Sequence, residues 1–425
     1  MLNITLLTFF VIFEFKIVGG ITSSILALGI MSIYSINHPN VLSIFSYSIQ
    51  KKGFLRIVFC YFVLCLWILL ILLINQTDDF TFFSTLVHGA FQLVNAIMLY
   101  SIYLSKGYEN KITQNIVVCF VIQSIIEALA FVFPKFKTLV LLTKDKASID
   151  KMSNYMGIRG LALSGYDAFG LALGFTLVFL LIISPKFRWY SNYGVVRIGS
   201  IVFLIFGGIV AARTSIIGLG FSIMVFCIIQ FSRIKYQKFE KQKIIKGCIS
   251  VAIVAGVIIL FVKNVFLKMR YSSYYIFYMF EGVINMMNTG HLSMTSTNNL
   301  FDNMYFDIPL KTLLVGDGRY SGDNGGYYMN TDAGYMRPVL FMGIMGLLLL
   351  IMITVSILKV SKKRLDKFDV VILIMALFLQ IKGEVVGYAV MFNTCLMLYS
   401  LQECEIIKSE VTEKVKNDCI TNSFQ

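Results

Sequence analysis

Apolar runs of bilayer-spanning length recur along this 425-residue chain, and they leave few folds open to it. A helix needs about 20 such residues to cross a hydrocarbon core of about 30 Å. Inside that core every backbone N–H and C=O must find its partner within the protein, so only helices and closed barrels cross it. The runs are continuous rather than alternating, which favours helices over a barrel. Spans are expected at roughly 2–13, 18–36, 54–74, 83–104, 114–133, 161–183, 197–212, 214–231, 246–262, 333–358, 369–386 and 387–402. The composition agrees: 57% of residues are hydrophobic and 14% charged, against about 25% charged in a soluble domain. The expected fold is therefore an all-α polytopic membrane protein with about twelve transmembrane helices. Residues 1–262 would hold helices one to nine, 263–332 one large outward loop, 333–402 helices ten to twelve, and 403–425 a tail. The opening MLNITLLTFFVIFEF has no basic leader or small-residue cleavage site, so it reads as the first span. The break at Glu14–Lys16 leaves one long kinked helix open as an alternative.

Net charge is +14. In a soluble domain that would point to nucleic acid. Here the Lys and Arg residues cluster in short loops, at 51–56, 106–111, 186–188, 233–246 and 359–367, as cytoplasmic loops of membrane proteins do. Both termini are therefore expected in the cytoplasm and the 263–332 loop outside. Cys60, Cys65, Cys119, Cys227, Cys248 and Cys395 fall in spans, and Cys404 and Cys419 in the tail, so no disulfide framework is expected. The cysteines, and His38, His88 and His291, have no metal-ligand spacing, and no metal or other cofactor is expected.

The outward loop is the one long interruption. It is rich in Tyr, Phe and Met, unlike a solvated linker, and reads as a folded cap over a membrane-embedded site. Its LVGDGRYSGDNGG run is neither a phosphate loop, lacking a GKS or GKT ending, nor an EF-hand, because Arg319 stands where an acidic ligand is needed. Arg159, Arg213 and Arg270 come from three segments that reach the same expected membrane surface. They suit either headgroup anchoring or an anion site, since guanidinium forms bidentate bonds to phosphate. Glu127, Asp167 and Glu384 lie inside or at the rim of spans, where ionisable groups are costly and often functional. Asp167 has Arg159, and Glu384 has Lys382, as a possible neutralising neighbour. Asp332 fits two roles, a helix N-cap or a general base.

Four pieces carry a resemblance to a known family: RGLALSGYDAFG from Arg159 to Gly170, ARTSIIGL at Arg213, LKTLLVGDGR ending at Arg319, and TDAGYMRPVLFMGIMG from Thr331 to Gly346. In their order and placement they resemble the O-antigen and capsular repeat-unit polymerases. That resemblance implies a lipid-dependent glycosyltransferase fold of the GT-C-like kind in a bacterial plasma membrane. It implies transfer, on the outer face, of a growing glycan from undecaprenyl pyrophosphate to a hydroxyl of the next lipid-linked unit, with no metal or nucleotide. Donor and acceptor would be lipid-linked glycans, with membrane lipids and a chain-length regulator as further partners and no nucleic acid. Under it Asp332 is the expected base, and Arg159, Arg213, Arg270, Arg319, Tyr335 and Arg337 the expected pyrophosphate- and substrate-binding residues. The related O-antigen ligases usually carry a His near the position of Asp332. Ligase remains one alternative and a lipid-linked oligosaccharide flippase another, although no two similar halves or broken helices are evident in the sequence.

The topology is directly measurable. A cysteine introduced at Asn324 should react with a membrane-impermeant reagent from outside, and one at Lys241 should not; the reverse pattern would invert the orientation.

Overall fold

The computed structural model describes residues 3–18, 20–144, 149–150, 159–236, 281–282, 284–291, 293–323 and 325–402. The expected span at 246–262, the tail and Arg270 lie outside them. Among the described residues the fold is all-α apart from one short hairpin. Two compact units form, Met1–Ile116 with Leu300–Gln425, and Val117–Asn299.

In the first unit, α1 (Ile4–Phe13) starts at Asn3, whose side chain accepts from the N–H groups of Thr5 and Leu6. It ends at Glu14 in left-handed conformation, so the long kinked helix does not form. Instead β1 (Lys16–Val18) and β2 (Ile21–Thr22) pair antiparallel and lead into α2 (Ser23–Asn37). The Glu14 carboxylate secures this reversal by accepting from Ser24 at 2.9 Å and Gln92 at 2.5 Å, beside His88. Pro39 starts α3 (Pro39–Gln50) at 115° to α2, because the residue before proline is pushed out of helical geometry.

α4 (Lys52–Asn75) has two faces. Ile57, Cys60, Leu64, Ile68 and Ile71 are buried, whereas Phe59, Phe62, Leu66, Leu69 and Leu73 are exposed. A helix that is apolar all round and half exposed belongs in lipid. α5 (Thr81–Ser105) follows, and α6 (Ile112–Val132) continues into the second unit. There α7 (Pro134–Leu141), α8 (Ala168–Ile183), α9 (Gly194–Ala211) and α10 (Thr214–Tyr236) follow. α8 begins at Ala168 rather than 161, because Asp167 caps it by accepting from Gly170 N–H at 2.7 Å. α10 packs closely on α8: a Cβ on Gly218 would sit 2.2 Å from the Thr176 methyl.

The chain re-enters the first unit through the short α11 (Leu310–Val315), then α12 (Met336–Leu358), α13 (Lys367–Leu379) and α14 (Val390–Leu401). Residues 300–335 form a folded cap: Leu300, Ala333, Met336 and Leu340 share a core with Tyr305, Phe306, Ile308, Tyr328 and Ile381. Five described helices are long and apolar enough to cross a membrane, or six if α2 and α3 form one bent span. The protein is thus an all-α membrane protein. The expected runs at 2–13, 161–183, 369–386 and 387–402 yield shorter helices.

Two breaks shape the first unit. Met342 and Gly343 interrupt α12, and the freed carbonyls are met from outside the helix. Asp317 N–H donates to Leu340 O at 2.7 Å, Gly318 N–H to Phe341 O at 3.0 Å, and Trp67 Nε1 to Met342 O at 2.8 Å. The second break separates α13 from α14, where 380–389 is non-helical. Gln380 Oε1 accepts from the N–H groups of Val385 at 2.6 Å and Val386 at 2.9 Å, and its amide nitrogen donates to Gly334 O. Gly387 N–H donates to the Thr354 hydroxyl at 2.8 Å. Gly334 must lack a side chain, since a Cβ would lie 2.1 Å from the carbonyls of Gln380 and Gly383.

Gln380→Met keeps the volume but strands these backbone groups, and each buried unsatisfied group costs about 1–3 kcal/mol. The thermal midpoint in detergent should fall clearly, whereas Gln76→Met, at the exposed end of α4, should leave it unchanged.

Candidate functional site

The cap places a polar cluster on the α12 end beside the second break. The Arg337 guanidinium pairs with Glu384, forty-seven residues on, and lies 3.9 Å from the Tyr320 ring and 4.3 Å from that of Tyr327. Tyr320 donates its hydroxyl to the same Glu384 oxygen at 2.6 Å. Burial, reinforced by Glu384 and Tyr388, holds that hydroxyl protonated far above the ordinary phenol range, so it remains a donor. Phe82, Phe341 and Tyr388 pack around the Tyr320 ring.

The loop between α4 and α5 sets the position of Tyr320 in regular register. Asn75 Nδ2 donates to Gly316 O at 3.2 Å, Thr77 Oγ1 to Gly318 O at 2.8 Å, and Asp79 accepts from the N–H groups of Tyr320 at 2.7 Å and Ser321 at 2.6 Å. Residues 75, 77 and 79 thus meet residues 316, 318 and 320 in turn. Burial raises the Asp79 pKa, but hydrogen bonds from Thr81, Ser321 and Tyr320 outweigh it and hold the carboxylate below its usual range.

Three side-chain atoms around this cap are buried without a hydrogen-bond partner: Arg337 Nε, Glu384 Oε1 and Asp332 Oδ1. Such groups are few in native proteins and ask for a reason. Asp332 is not the cap of α12; the N-cap position is Tyr335, and no side chain caps there. The N-cap role expected as one alternative for Asp332 is therefore corrected. Tyr335 donates its hydroxyl to Leu377 O at 2.7 Å, a tie between α12 and α13. Arg319 is half exposed and 3.6 Å from the exposed Asp323.

In the second unit the structure brings Arg159 and Arg213 to one turn. Gly160 N–H donates to Val210 O at 3.1 Å and Arg159 Nε to Ala211 O at 3.4 Å, two residues before Arg213. Arg213 occupies the sharp α9–α10 turn and pairs with Glu281 at 2.6 Å. The other Glu281 oxygen accepts the Thr295 N–H at 2.9 Å and its hydroxyl at 2.5 Å. Burial raises the Glu281 pKa, but the bonds from Thr295 and the Arg213 charge more than offset it, leaving the carboxyl below its ordinary value. Asp167, weighed as a neighbour for Arg159, is used as the α8 cap.

The chain gives no match to protein-family models, to curated proteins or to solved structures. The site therefore stands on its own geometry. Glu384 was visible in the sequence as a costly carboxylate, but with Lys382 as the obvious neighbour rather than Arg337. Tyr320, Asp79 and Glu281 carried no comparable signal. The only hint was the polar NQTDD between two apolar runs, three of whose residues prove to hold the cap.

The lowered Glu281 pKa fixes a sign. The pair stabilises the second unit fully above the ordinary carboxyl value of 4.5 and loses that contribution as pH falls through the lower folded value. Thermal midpoints should drop on acidification through that window, and the drop should be smaller in Glu281→Gln. An equal drop in both would leave the pair without energetic weight.

Proposed function

We propose that this chain is a membrane glycosyltransferase that joins undecaprenyl-pyrophosphate-linked repeat units into O-antigen or capsular polysaccharide. The cluster at the α12 end carries the reading. A buried guanidinium and the flat faces of Tyr320 and Tyr327 meet at the Glu384 carboxylate, one of whose oxygens has no hydrogen-bond partner. Binding sites for sugar-sized molecules combine apolar walls with a few placed polar groups in this way. The four sequence pieces quoted above support the same reading, and the cap is built from two of them.

Asp332 takes the proton from the acceptor hydroxyl, with Glu384, in the second break, as the other carboxylate. Arg337, Tyr335 and Arg319 belong to substrate binding, and Arg159, Arg213 and Arg270 to the leaving pyrophosphate, whose charge grows in the transition state and is stabilised by fixed cations. The reaction uses no metal, nucleotide or other cofactor. The setting is a bacterial plasma membrane, with the cap on the outer face, about twelve spans in a GT-C-like arrangement, and a chain-length regulator as a possible partner. The ligase reading differs only in the acceptor.

One observation favours a second reading, a flippase for lipid-linked oligosaccharide. The non-helical 380–389 reaches past the middle of α12, to Leu350 and Thr354, and broken helices of this kind are common in transporters. In the sequence this place showed only as a turn near Gly387 between two short runs, a candidate re-entrant pair.

Purified protein given a synthetic lipid-linked repeat unit, without metal or nucleotide, should form polymer. Asp332→Asn should lower the rate by about 10²-fold or more. Near-normal polymer from Asp332→Asn moves the base to Glu384. Wild-type protein that makes no polymer but moves the lipid-linked unit across vesicles supports the flippase.

A further inference from the structure

Glu127 is the only acidic residue of α6, a helix otherwise apolar enough to span a membrane. It is completely buried, and neither carboxyl oxygen has a hydrogen-bond partner. The site is closed by α9, where Gly207 exposes bare backbone. A Cβ on Gly207 would sit 2.3 Å from Ser124 Oγ, 2.7 Å from the Phe175 ring and 2.9 Å from Glu127 Oε2.

The donors around it point elsewhere. Ser124, one turn earlier, donates to Phe120 O at 2.8 Å. Gln123, on the same helix face, has its amide placed for its oxygen to accept from the N–H groups of Leu163 at 3.0 Å and Ser164 at 3.3 Å. Among the described residues the charged group that acts on Glu127 is Lys144, whose ammonium donates to Ser164 O at 2.8 Å. An ionised carboxylate without a hydrogen bond is among the most costly groups to bury, and a neutral carboxylic acid far less so. A neutral acid also has only one proton to place.

We infer that Glu127 is a proton-binding site inside the membrane-embedded part of the second unit, occupied near neutral pH. Such carboxyls within spans commonly mark proton paths. Release breaks the O–H bond, sends the proton out and leaves the electron pair on the carboxylate. The new negative charge then attracts Lys144 away from the Ser164 carbonyl. The inference does not depend on the glycan reading.

The test is infrared spectroscopy of the full-length protein in lipid near neutral pH, in ordinary and heavy water. The wild type should show the carbonyl band of a protonated carboxylic acid. That band should vanish in Glu127→Gln, which is isosteric with the neutral acid and should fold, and should shift in frequency in Glu127→Asp. Glu384→Gln should leave it in place. Wild-type and Glu127→Gln spectra that coincide in this region would overturn the inference. If the Gln variant does not fold, a Glu127→Asp spectrum with the band unshifted would do the same.

Discussion

Backbone groups inside a membrane have no water to turn to, and the first unit is organised around two places where the helix gives up its own bonds. At Met342–Gly343 the exposed carbonyls are taken by the N–H groups of Asp317 and Gly318 and by the indole of Trp67. At 380–389 one side-chain amide, Gln380, serves two backbone donors and one acceptor. Each break is stable only because another segment supplies the missing partner. The cap is thus part of what lets α12 bend, rather than an appendage on a finished bundle.

The site inherits its precision from these substitutions. The N–H groups that satisfy α12 belong to 316–318, and Tyr320 follows directly. Asn75, Thr77 and Asp79 fix the same stretch from the other side. The stretch that carries Tyr320 is therefore held through its backbone groups from both flanks. Glu384 sits within the second break, so its approach to Arg337 depends on the geometry that Gln380 maintains. The carboxylate and the cation lie on different elements, Arg337 in the first turn of α12 and Glu384 in the non-helical stretch 380–389.

The second unit uses small residues differently. Gly207 and Gly218 admit the side chains of Ser124, Glu127 and Thr176 against helix backbone. The turn at Ala212–Arg213 places a guanidinium where Glu281 and Thr295 can close a polar set around it. The turn's tightness was readable in ARTS; the identity of its carboxylate partner, sixty-eight residues away, was not.

What the sequence settled by itself was what depends on local runs: a helical membrane protein, most helix positions among the described residues, the turn at Arg213 and the folded character of the part of the loop from Leu300 on. These follow from hydropathy and spacing, which act over a helix length or less. Helix ends were less legible. Asp167 shortens α8 through a single capping bond, and Pro39 starts a helix, α3, that lies outside every expected span. Only the tertiary structure decided that Asp332 is no helix cap, that Glu384 belongs to Arg337 rather than Lys382, and that Asp79 holds Tyr320. Each of these pairings joins residues far apart in sequence, and side-chain type alone does not choose among several possible partners. The choice is made where helices bend and their carbonyls need donors, and those bends exist only once the elements have packed.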